Sequence, residues 1–171
     1  MSGFGIISDK LDIKILILFI LSRLPDKIDL AGLTGLVLLD GKVGYFDFAE
    51  CLAELEKTGH VDNIGSAYLV TEKGVKNASL VESSLPYSIR ERALEAIAPV
   101  ANEMRRSAMI KTAHSQAPGG AVAELSLSDG IGEMLSIRLL VPGNDIASTV
   151  ERHFRSDPEG IYDKIIKLLT E

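Results

Sequence analysis

The sequence predicts an α+β chain in two parts: a helical N-terminal half carrying one short hairpin, then a small antiparallel sheet covered by helices. Three observations carry this expectation. Apolar residues recur at spacings of three and four between Tyr45 and Thr58, and densely from Ile13 to Leu24, as packed helices require. Two short β-rich runs flank Gly65-Ser66. Beyond residue 108, three strand-like segments are separated by Pro118-Gly119-Gly120 and by Ser128-Asp129-Gly130, both suited to antiparallel turns.

The first helix can be capped by Ser8 or Asp9 and reaches about Leu24, just before Pro25. Its apolar residues occupy every side, so it is expected at the centre of its domain, with a subunit contact as a further use. Residues 29–38 form a shorter helix started by Asp29 and weakened by Gly32 and Gly35, each costing about 1 kcal/mol relative to Ala. Asp40-Gly41 marks a turn. The third helix runs from Tyr45 to Thr58 with Phe48, Cys51, Leu52 and Leu55 inward, and Gly59 ends it. Val61–Ile64 and Ala67–Thr71 make the hairpin, and Thr71-Glu72-Lys73-Gly74 leads into a helix to about Ser83.

Three helices, a hairpin and a further helix is the order of a winged helix-turn-helix domain, placed at residues 1–83. A connecting helix follows over 84–107, begun by Pro86 or Ser88, with Ile89, Ala93, Ile97, Val100 and Met104 along one stripe. Pro99 must kink it or begin a second helix. Strands at Met109–Ser115, Ala121–Leu127 and Met134–Val141 open an α+β domain over 108–171. Asn144 or Asp145 then caps a helix to Phe154. The last helix, Pro158–Leu169, is expected to bury Ile161, Ile165, Ile166, Leu168 and Leu169.

Composition narrows the function. The 171 residues include 24 acids against 18 Lys plus Arg, a net charge of −6, so any nucleic-acid-binding reading needs a local basic patch. Residues 1–83 carry a net −4 and residues 84–171 a net −2. The single Cys51 has no disulfide partner, which favours a reducing, cytoplasmic setting; in its apolar helical pattern it reads as a buried structural thiol, with a reactive one as the alternative. The longest apolar run, Ile15–Leu21, is far shorter than the roughly 20 residues of a membrane span, and no signal-peptide pattern surrounds it. No membrane association is expected.

Two segments, Leu52-Ala53-Glu54-Leu55-Glu56-Lys57-Thr58-Gly59-His60-Val61 and Tyr68-Leu69-Val70-Thr71-Glu72-Lys73-Gly74, resemble the recognition-helix end and wing of many bacterial transcriptional regulators. Over residues 5–169 the chain resembles, more narrowly, the bacterial domain-of-unknown-function family 4364, often labelled a transcriptional regulator. Tyr45-Phe46, Leu85-Pro86 with Ser88-Ile89-Arg90, Ala113-His114 and Ile161-Tyr162 carry that likeness. The resemblance implies a winged helix followed by an α+β domain, and it supplies no ligand or catalytic residue. The apolar, glycine-containing second helix and Pro99 depart from the family's pattern.

In a winged helix the third helix enters the major groove. At about 100° per residue its outward arc here carries Phe46, Glu50, Ala53, Glu54 and Lys57, with Lys42 just before it and the wing at Asn63, Ile64, Gly65 and Ser66. Residues 45–58 hold four acids against Lys57 alone, a net of −3, and no base lies between Asp62 and Tyr68. Arg90, Arg92, Arg105 and Arg106 cluster farther on, as a surface for phosphate or an acidic partner or as a solvated face paired with Glu91, Glu95 and Glu103. Glu50 and Glu54 could share a cation or form an exposed acidic face. His60, His114 and His153 are isolated, and no phosphate loop, nucleophile motif or metal-ligand spacing occurs. An enzyme, a cofactor and a metal site are therefore not expected. The expected function is a DNA-binding transcriptional regulator acting as a homodimer, with the sheet domain for dimerisation or ligand sensing. Its alternative is a winged-helix module that binds another protein.

Overall fold

The computed structural model describes residues 7, 9–39 and 41–171, and the chain divides into two compact units at Met104/Arg105. The chain combines helices with two small antiparallel sheets, an α+β composition.

In the first unit, α1 (Lys10–Leu21) is capped by the Asp9 carboxylate, which accepts from the amides of Leu11 at 2.7 Å and Asp12 at 3.0 Å. The alternative cap, Ser8, lies outside the described residues. Ile13 and every residue from Ile15 to Leu21 are buried, so the other elements surround α1 as its all-round apolar surface demands. The helix stops three residues short of Leu24, because Arg23 and Leu24 donate to carbonyls only three residues back, tightening the last turn before Pro25.

A two-residue strand, β1 (Ile28–Asp29), precedes α2 (Leu30–Val37). It was not expected, since two residues carry no periodicity. Asp29 also caps α2 through Gly32 N, and Gly32 is needed there: a Cβ would sit 2.9 Å from Ile28 Cγ1. Of the turn that follows, Asp40 lies outside the described residues, while Gly41 has φ +62°. Next come α3 (Tyr45–Lys57), β2 (Val61–Ile64) and β3 (Ala67–Val70), and β1 adds to the hairpin in the antiparallel order β1-β3-β2. Helix α4 (Glu72–Val81) is capped by Thr71 and runs into a 3₁₀ turn at Glu82–Ser84.

Helix α5 (Tyr87–Met109) places Ile89, Ala93, Ile97 and Ala101 in the core of the first unit, with Val100 and Met104 partly buried beside them. It passes through Pro99 without a break. Pro99 and Glu95, whose carbonyl lacks its usual donor, both lie on the exposed side, where water can satisfy that oxygen. Met109, expected to open a strand, is the last helical residue.

The second unit is built on β4 (Ile110–Ala117), β5 (Gly120–Ser128) and β6 (Glu133–Val141), paired antiparallel in sequence order. Ala121, Ala123, Leu125 and Leu127 of β5 are buried on one face, alternating with more exposed residues. Helix α6 (Asn144–Ser156) lies on that face through Ala147 and Phe154, and the alanines at 121, 123 and 147 let helix and strand approach closely. Its capping position is Gly143, not Asn144 or Asp145, and no side chain caps it. Helix α7 (Pro158–Thr170) is capped by Asp157 and corrects a second expectation. Ile161 and Ile165 are partly buried, but Ile166, Leu168 and Leu169 are exposed, Leu168 to 82%. Among the described residues, no helix is long and apolar enough to cross a membrane.

Candidate nucleic-acid or partner interface

Helix α3 is oriented by its apolar stripe. Phe48, Cys51, Leu52 and Leu55 are buried, which turns Phe46, Ala53 and Lys57 to solvent within an arc of roughly 40° around the helix axis, with Glu50 at its edge. Phe46 is 87% exposed, and Tyr45 meets it edge to face at 6.1 Å between ring centres. Lys42 is exposed on the segment before the helix.

Glu50 and Glu54 lie on the flank of α3 that meets α1. Lys10 Nζ sits 2.6 Å from Glu50 Oε1, and Lys14 forms the equivalent pair with Glu54 one turn along. Hydrogen bonding to these carboxylates raises both lysine pKa values, and Lys14 in turn lowers that of Glu54. Two of the four carboxylates of α3 are therefore already matched by cations. Cys51, between them in sequence, is 0% exposed, and burial above all raises its thiol pKa, so it stays protonated and structural.

The hairpin tip is separate from this face in the chain. Asn63 pairs with Tyr68 and Ile64 with Ala67, leaving Gly65 and Ser66 at φ +60° and +69°. Two consecutive left-handed residues make the primed turn that suits the twist of a two-residue hairpin. All four tip residues are exposed.

A family model described as a domain of unknown function, DUF4364, matches residues 13–169. The chain belongs to that family. No curated protein and no solved structure matches it.

In this DUF4364 chain, two polar clusters join residues that looked isolated in sequence. Thr58 Oγ1 donates to the Glu54 carbonyl at 2.8 Å and so accepts from His60 Nδ1 at 2.8 Å, while Asn77 Nδ2 donates to His60 Nε2 at 2.7 Å. This network specifies the neutral Nδ1–H imidazole, and burial with nearby Lys73 lowers the pKa of His60. His60 and Asn77 form the polar end of a groove of about 590 Å³ whose walls include Leu11, Ile15, Leu18, Leu55 and Leu80. In the second unit, Glu151 of α6 bonds His114 Nδ1 and accepts from Thr112 Oγ1 at 3.1 Å, and Arg155 Nε donates to the same threonine at 2.8 Å. These contacts tie α6 to β4.

The arginine cluster is engaged by its surroundings. Arg90 lies over the Tyr87 ring at 5.9 Å, Arg92 Nε donates to the Ser88 carbonyl at 3.2 Å, and Arg106 meets Glu159 at 3.8 Å. Arg105 also has a partner.

Proposed function

We propose that this DUF4364 chain is a cytoplasmic winged-helix transcriptional regulator that binds DNA as a homodimer, with α3 as the helix presented to the major groove. The order α1-β1-α2-α3-β2-β3, with β1 closing the hairpin into a three-stranded sheet, supports the winged-helix reading. The observation that carries the DNA reading is the pairing of Glu50 with Lys10 and Glu54 with Lys14. Counted with those lysines, the local charge of the α3 segment rises from −3 to −1, and the outward stripe becomes Phe46, Ala53 and Lys57 flanked by Lys42. An acidic helix would repel phosphate; a helix with two of its four carboxylates held by neighbouring ammonium groups does so less.

Fluorescence anisotropy with mixed-sequence duplex across a salt series tests this. Affinity should fall linearly in log salt, and Lys42→Glu with Lys57→Glu should reduce it sharply. No binding at about 50 mM salt refutes the reading.

A second reading, a winged-helix module for another protein, is favoured by the exposed Tyr45–Phe46 pair and by the hairpin tip without a base. An affinity pull-down separates the two. Partners retained by the native chain and lost with Phe46→Ala support the protein reading, and an identical set with both chains counts against it.

A further inference from the structure

We infer that the second unit docks onto a second copy of this chain by antiparallel pairing of β6 with the partner's β6 about a two-fold axis at Ile137. This deepens the homodimer reading and rests on it. Strand β6 is the outer strand of its sheet, nine residues long and without proline, and its outer edge has no paired strand among the described residues. Such an edge is a template for further pairing unless it is blocked.

The pattern along β6 favours its own copy. About Ile137, Leu135 lies opposite the partner's Leu139, and Ile137 meets the partner's Ile137; both pairs fall on the face that α6 covers over β5. On the other face Met134 meets the partner's Leu140, and Ser136 meets the partner's Arg138, so no like charges oppose. Moving the axis by one residue breaks this match: an axis at Arg138 sets arginine against arginine, and one at Ser136 sets Leu139 against the partner's Glu133. Met134, Leu139 and Leu140 are all exposed, with Leu140 at 63%.

Helix α7 extends the same surface. Ile161 and Ile165 line an apolar groove of about 410 Å³ together with Ile137 and Leu139 of β6, and Leu168 continues their stripe one turn further. The open side of β6 thus joins an apolar helix face left unpartnered in the monomer. Pairing two copies makes a six-stranded sheet and an isologous interface in which each surface meets its equivalent.

The test uses the full chain with one introduced cysteine at a time, beside the native Cys51, which is buried. Under mild oxidation Ile137→Cys should cross-link to a covalent dimer, because directly opposed Cα atoms fall within disulfide range at about 4.5–5.5 Å. Leu135→Cys alone should not, its two copies being offset by roughly 13 Å along the strands, whereas a mixture of Leu135→Cys and Leu139→Cys chains should. Sedimentation should show a native dimer whose dissociation constant rises about tenfold or more in Leu140→Lys, with the circular-dichroism spectrum unchanged. If Leu140→Lys fails to fold, the cysteine pattern decides. A native dimer that does not cross-link at Ile137→Cys overturns β6 pairing and leaves the homodimer reading standing. A native monomer at tens of micromolar overturns both.

Discussion

Gly74→Ala should destabilise the first unit, whereas the same substitution at Gly35 should stabilise it. A Cβ at Gly74 would stand 2.2 Å from the His60 carbonyl oxygen and 2.7 Å from Val70 Cγ2, while one at Gly35 would meet nothing within 4 Å. To restore ordinary contact, α4 or the chain at His60 must move by about 1 Å, and overpacking of that kind costs roughly 1–3 kcal/mol. The same carbonyl accepts from Thr71 N at 3.0 Å, so moving it weakens a hydrogen bond worth about 0.5–1.5 kcal/mol. Against this stands the propensity advantage of Ala over Gly, at most about 1 kcal/mol. The net expectation is a loss of about 1–3 kcal/mol at Gly74 and a gain of roughly 0.4–1 kcal/mol at Gly35. Guanidinium titrations followed by far-UV circular dichroism measure both. Equal stability of Gly74→Ala and the native chain, or shifts of the same sign at the two sites, would refute the close-approach argument.

Three further outcomes are expected. His60 has a lowered folded pKa, so its contribution is fully present above its ordinary value of 6.5 and is lost as pH falls through the folded pKa; thermal melts between pH 7.5 and 5.5 should show stability declining on acidification, and His60→Gln should flatten that slope. An unchanged slope would contradict the neutral tautomer. Phe154 is 1% exposed at the centre of a small core, so Phe154→Ala should cost the second unit about 3–5 kcal/mol, read by denaturant titration. Lys10→Gln with Lys14→Gln should change stability little, because these ion pairs are on the surface, yet weaken duplex binding in the anisotropy assay by uncovering Glu50 and Glu54; undiminished binding would show that the pairs are irrelevant to DNA.

How much could be read from sequence depended on whether a feature was local. The Phe48, Cys51, Leu52 and Leu55 stripe fixed the inward face of α3 because one helix supplies the whole pattern. The end of α7 misled for a related reason: periodicity identifies an apolar side but not whether anything in the chain covers it, and Leu168 and Leu169 are left uncovered. Strand β1 escaped notice because its two residues become a strand only through pairing with Tyr68 and Ala67. The networks around His60 and between His114 and Glu151 are likewise long-range, the latter joining residues 37 apart.

The charge on α3 is the instructive case between these extremes. Counting within residues 45–58 treats Glu50 and Glu54 as free carboxylates, and on that count the helix is a poor partner for phosphate. Yet Lys10 and Lys14 share the spacing of Glu50 and Glu54, one helical turn, and α1 packs against α3 so that the two pairs meet in step. The matched spacing was present in the sequence; the packing that brings the pairs together was not. A helix's charge toward a ligand is therefore set after its neighbours have docked, and on α3 that leaves Phe46, Ala53 and Lys57 on the outward stripe, with the two paired carboxylates on its flank toward α1.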